Sequence, residues 1–276
     1  MYLKIGRAFY GLCLMGLGAQ QFQYGEFRPV FVPDWPAWLH HSALAYIFGA
    51  ALIFAGGLIA LAKNARKIAL ITAAVFLVFF LCFQTFFLFF ISPDKFSLGA
   101  WTNALKELAL SGGALIVAGS YPQLNTTTND SPFSWLEKLI PFGRFFFGLM
   151  LACFGIDHFL YAQFVATLVP GWIPGAMFWT YFAGLALFGA GVAFIFNFRI
   201  RLVAILTAVM IFLWFLVLHI PRGIADPEGL KGNEITSVFE ALGFAGIALV
   251  IYALYLVPVT PNRTPAVSFP NEARRS

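Results

Sequence analysis

Residues 68–91 carry no charged side chain, and only Thr72, Gln84 and Thr85 interrupt a continuous apolar run. A helix of this length, rising about 1.5 Å per residue, spans the ~30 Å hydrocarbon core of a bilayer. Lipid offers no hydrogen-bond partners to a backbone, so only helices and closed barrels cross it. A barrel strand would alternate apolar and polar residues over about ten positions. This run does not alternate.

The rest of the chain is of the same kind. It is 61% hydrophobic and 11% charged, against about 25% charged residues in a soluble domain. So few charges cannot cover a water-facing surface, and the chain reads as an all-α, polytopic membrane protein. The apolar runs place eight transmembrane helices at 6–22, 42–62, 68–91, 103–120, 142–160, 177–196, 202–220 and 236–257. Basic residues exceed acidic ones by 17 to 12, an excess that in a membrane protein reports orientation. No basic patch is interleaved with aromatics, so nucleic acid is not an expected partner; lipid is. Cys13, Cys82 and Cys153 lie in apolar segments without a CxxC pair and read as packing residues.

The chain also states nearly the same thing twice. Gly6-Arg7-Ala8-Phe9-Tyr10-Gly11-Leu12 returns as Gly143-Arg144-Phe145-Phe146-Phe147-Gly148-Leu149. Val32-Pro33-Asp34-Trp35 returns as Val169-Pro170-Gly171-Trp172 at the same offset of 137. Tyr46, Gly49, Gly56 and Thr72-Ala73 match Tyr181, Gly184, Gly191 and Thr207-Ala208 at an offset of 135, and Glu107 and Gly113 match Glu240 and Gly246 at 133. The expected organisation is a first four-helix repeat (1–120), a polar linker (121–140), a second four-helix repeat (141–257) and a flexible tail (258–276). The first apolar segment reads as a retained helix, because its motif recurs internally. Four helices return each copy to its starting side, so the repeats are expected to be parallel. With the termini cytoplasmic, twelve of the seventeen Lys and Arg residues fall on the cytoplasmic side.

Ionisable groups inside membrane helices are costly and mark candidate sites. Asp157 and His158 fall at the outer end of the fifth helix, His219 at that of the seventh, and Glu240 about one turn inside the same face. The first copy has Gln20, Gln21, Gln84 and Glu107 at the equivalent places. Glutamine hydrogen-bonds but neither titrates near neutral pH nor binds metal well, so proton and metal chemistry point to the second copy. Three chemistries fit. His158, His219, Glu240 and Asp157 would exchange protons with a bound quinone. His158, His219 and Glu240 would form a two-His, one-carboxylate metal site. The two histidines would be axial ligands of a b-type haem. Interhelical hydrogen bonding is the structural alternative. The repeated Val-Pro-x-Trp segments read as rigid outer loops, with Trp172 capping the pocket beside His158 and His219. His40 and His41 read as interfacial residues near Trp35 and Trp38, and Arg7 and Arg144 as side chains snorkelling to lipid phosphates. No P-loop, HExxH or GxSxG is present.

These motifs resemble the DoxX-like and DoxD-like membrane proteins. The likeness rests on Gly143-Arg144, on Phe154-Gly155-Ile156-Asp157-His158-Phe159, on Val169-Pro170-Gly171-Trp172-Ile173-Pro174, and on Leu105-Lys106-Glu107-Leu108-Ala109-Leu110-Ser111-Gly112-Gly113. It covers residues 5–120 and 141–255. Members are usually single four-helix units, so the chain resembles a fused dimer. The resemblance implies a multi-pass bacterial inner-membrane protein and a redox-associated subunit, such as those of thiosulfate:quinone oxidoreductases, with a redox partner protein or larger complex. The first copy departs at Gln21-Phe22, where the second has His158-Phe159. A non-catalytic scaffold and a small-solute transporter are the other classes that the sequence leaves open.

Overall fold

The computed structural model describes residues 1–33, 42–122 and 134–256. Trp35, Trp38, His40, His41, most of the linker and the 258–276 tail lie outside the described residues. Eight long helices follow one another: α1 Tyr2–Tyr24, α2 Ser42–Ala60, α3 Ala65–Phe90, α4 Thr102–Gly119, α5 Gly143–Leu160, α6 Ala176–Phe196, α7 Ile200–Ala225 and α8 Gly229–Leu254. Short helices at Ser134–Glu137 and Ala162–Leu168 lie in connections that the apolar pattern leaves as loops. No strand occurs among the described residues. Helices α1 and α8 start several residues before their apolar runs, and α7 continues past residue 220. The apolar pattern marks the hydrocarbon depth, whereas hydrogen bonding carries each helix beyond it.

Among the described residues, six helices are long and apolar enough to cross a membrane. Helices α1 and α4 are outside that set, for a structural reason in the case of α4. Every residue of α4 from Ala104 to Gly119 is buried by its neighbours. A helix shielded from lipid on all sides can carry Lys106 and Glu107. The helices close a ring in which α1 packs on α2, α3 on α4, α4 on α5, α5 on α6, α7 on α8 and α8 on α1, with slighter contacts of α2 on α3 and α6 on α7 completing it. Helices α4 and α8 also meet at the centre.

Glycines make the closest of these contacts. A Cβ built on Gly18 would lie 2.6 Å from the Gly49 carbonyl oxygen, and one on Gly155 would lie 2.7 Å from that of Gly184. Gly6 faces Gly246 across α1 and α8 at 2.7 Å, and Gly143 faces Gly112 across α5 and α4 at 2.6 Å. The last two pairs place Gly112, not Gly113, in the position of Gly246, one residue from the match at offset 133. Two backbone irregularities also recur at an offset of 135. Residues Phe80–Thr85 and Phe215–His219 form π turns inside α3 and α7. Ala62 and Asn64 take left-handed φ angles of 57° and 49°, and Asn197 and Arg199 take 59° and 47°. Non-glycine residues adopt this region rarely.

Polar contacts tie each end of the bundle. At the end that holds the N-terminus, Arg7 donates to the hydroxyl (2.8 Å) and the carbonyl of Ser120 and lies over the Tyr121 ring. Arg144 donates to Asn197 and to the Tyr255 hydroxyl. The two arginines are thus held at helix C-termini, where the dipole favours a cation, rather than reaching only for lipid phosphates. Arg66 pairs with Glu137 and donates to the carbonyls of Ala118 and Tyr121. At the other end Thr236 donates to Gln20, Tyr24 to the Pro227 carbonyl, and Arg222 pairs with Glu234.

Replacing Gly112 by alanine drives a methyl group into the Gly143 backbone, an overpacking that costs about 1–3 kcal/mol. Gly57→Ala meets nothing within 4 Å and serves as the control. Thermal unfolding in detergent should show a lowered midpoint for Gly112→Ala and an unchanged one for Gly57→Ala.

Candidate ligand-binding site

A cavity of about 940 Å³ lies among α5, α6, α7 and α8, with the Ala162–Leu168 helix and residues 169–173 at one end and Lys106 of α4 reaching in. Its walls are largely apolar, including Met150, Phe154, Leu187, Ile211 and Phe244. Leu185, Leu206, Val209 and Leu213 also line it, and each is at least half exposed on the outer surface. The cavity therefore opens sideways between α6 and α7, onto an apolar face.

His158, His219 and Glu240 all line this cavity, which brings together three residues from three helices. His158 lies in the last turn of α5. Its Nδ1 donates to the Phe154 carbonyl at 2.7 Å, because a carbonyl only accepts, and its ring lies nearly parallel to that of Trp214. In the neutral ring Nε2 is then an acceptor. His219 is the closing residue of the π turn in α7. Glu240 is 2% exposed and pairs with Lys106 at 2.7 Å. Its two oxygens accept no other hydrogen bond among the described residues. Trp172 lines the end of the cavity beside the Ala162–Leu168 helix and is 71% exposed.

Asp157 stands apart from these three. It is not part of the cavity wall, because consecutive residues are turned about 100° apart on a helix and His158 takes the inward direction. The metal-site expectation is corrected. Among the described residues no three of His, Cys, Asp or Glu are grouped closely enough to hold a metal ion. Glu240 is committed to Lys106 and one nitrogen of His158 to a carbonyl, so these residues share a wall without forming a ligand set.

Lys106 is the residue that the sequence reading missed. Its side chain is 9% exposed inside the bundle. The signal was present in Leu105-Lys106-Glu107-Leu108, two adjacent charges in an otherwise apolar helix. Its neighbour Glu107 is fully buried, and neither oxygen has a hydrogen-bond partner among the described residues.

The first half is filled where the second is open. The segment after α1 folds inward, with Arg28, Val30 and Phe31 fully buried. The Phe31 ring stacks on Phe76 and meets Phe48 edge-on. Gln84 donates to the carbonyls of Pro29 (2.8 Å) and Val30 (3.0 Å), and Gln21 accepts from the Arg28 N–H (3.2 Å). At the sequence offsets of 135 and 137, Phe48, Phe76, Gln84 and Gln21 correspond to Ala183, Ile211, His219 and His158. All four of the latter line the cavity.

Removing Lys106 alone would leave Glu240 buried without its counter-charge, a loss of about 3–5 kcal/mol for such pairs. Lys106→Met should therefore lower the thermal midpoint sharply, and adding Glu240→Gln should restore most of it. A double-mutant cycle without coupling would contradict the pairing. No protein-family model, curated protein or solved structure matches the chain.

Proposed function

We propose that the chain is a DoxX-like, redox-associated subunit of a membrane complex, in which the second of two parallel four-helix repeats holds a lipid-soluble ligand of the quinone type. All eight long helices would cross a bacterial inner membrane, with both termini cytoplasmic. The matched π turns, left-handed residues and glycine contacts support the two-repeat reading. For the less apolar α1 and α4, the ring packing supports membrane crossing, since each is flanked by helices long and apolar enough to span.

The observation that carries the ligand reading is the lateral opening. A ligand dissolved in lipid would enter between α6 and α7 without meeting water. It would find apolar walls for a ring and tail, and polar groups at His158, His219 and the Lys106–Glu240 pair. A bound quinone would supply the capacity to take up two electrons and two protons. His219 would donate to one of its oxygens, and His158 Nε2, an acceptor, would receive the hydroxyl proton of the reduced form. Trp172 would cover the outer mouth.

Titration of detergent-purified protein with a short-chain benzoquinone checks this. The protein should bind it, and His219→Ala should weaken binding about tenfold, the loss expected for one hydrogen bond to a buried partner. Unchanged affinity in His219→Ala would sink the quinone reading. A Soret band in the purified protein would assign the histidines to a b-type haem instead.

A further inference from the structure

We infer that the buried segment at residues 28–31 is an internal template for the ligand of the second half, and that the cavity is built for the hydroxyl-bearing, reduced form of that ligand. This inference rests on the quinone-type reading and on the correspondence between halves.

The argument runs from the four matched positions. In the first half the chain's own atoms occupy the space: the flat Phe31 ring lies against Phe76 and Phe48. Two carbonyl oxygens accept from Gln84, and one N–H donates to Gln21. The occupant is a ring with acceptors on one side and a donor on another.

The second half keeps the same polarity with different side chains. His219 replaces Gln84 and supplies the donor. His158 replaces Gln21, and its Nδ1–H is already committed to the Phe154 carbonyl, so the neutral ring offers an acceptor at Nε2. Glu240 adds a second acceptor, buried and bonded only to Lys106 among the described residues. Ala183 in place of Phe48 removes the ring that packs edge-on against Phe31. A site with two buried acceptors leaves a group unsatisfied unless its ligand brings a donor. A quinone has oxygens that only accept. A quinol hydroxyl both accepts and donates, as the backbone of residues 28–30 does in the first half.

Two probes of equal shape test this under anaerobic conditions: tetramethyl-1,4-benzoquinone and tetramethylhydroquinone. The full chain should bind the hydroquinone about tenfold more tightly, one hydrogen bond's worth. His158→Gln, which supplies an acceptor oxygen as Gln21 does, should keep that preference, and His158→Leu should remove it. His219→Gln should bind both probes within about threefold of the parent, whereas His219→Leu should lose about tenfold for both. Binding of both probes without preference, or Gln variants as weak as Leu variants, would overturn the template and leave the quinone-type pocket standing. Binding of neither probe by the parent chain would overturn both.

Discussion

Helices surrounded by lipid gain nothing by hiding apolar surface from one another, so their association depends on close fit. In this chain the fit comes from glycine against backbone, at Gly18 and Gly49, Gly155 and Gly184, Gly6 and Gly246, and Gly112 and Gly143. These contacts fix α1 on α2, α5 on α6, and the two halves on each other. Between α6 and α7 the contact is slighter, and there the cavity opens. The same contacts enclose α4, and only an enclosed helix can carry Lys106 and Glu107 at this depth.

The two halves of the chain fill their interiors differently. In the first, residues 28–31 turn inward and the aromatic rings of Phe31, Phe48 and Phe76 leave no room. In the second, the corresponding connection forms the Ala162–Leu168 helix at the rim, and smaller or aliphatic residues at positions 183 and 211 leave a space. The cavity nevertheless belongs to neither half alone. Lys106 comes from the first half and balances Glu240 of the second, so a second half on its own would hold an uncompensated carboxylate in an apolar wall.

Much of this was legible in the sequence. The apolar runs marked the helices, and the repeat marked His158 and His219 as places where the copies differ. The depth of Glu240 placed it with them. Direction around a helix was not legible for Asp157, because adjacent residues share a depth but not a face. Lys106 was overlooked as a site residue because a count of charges along the chain weighs a cation only for the side it falls on. The inward fold of residues 28–31 left no trace, since Pro29, Val30 and Phe31 read equally well as an interfacial loop. The π turns were invisible for a related reason: one extra residue within a run of phenylalanine and leucine does not change its hydropathy.

Those π turns carry a historical consequence. A π turn is an insertion of one residue accommodated without rotating the rest of the helix, and it is uncommon outside functional sites. Both helices place it at the same offset, with Gln84 in one and His219 in the other. On the two-repeat reading, the widened turn was already present in the single ancestral unit before duplication. On that reading at least one of the two side chains it displays changed afterwards, so the seat is older than the difference between its occupants.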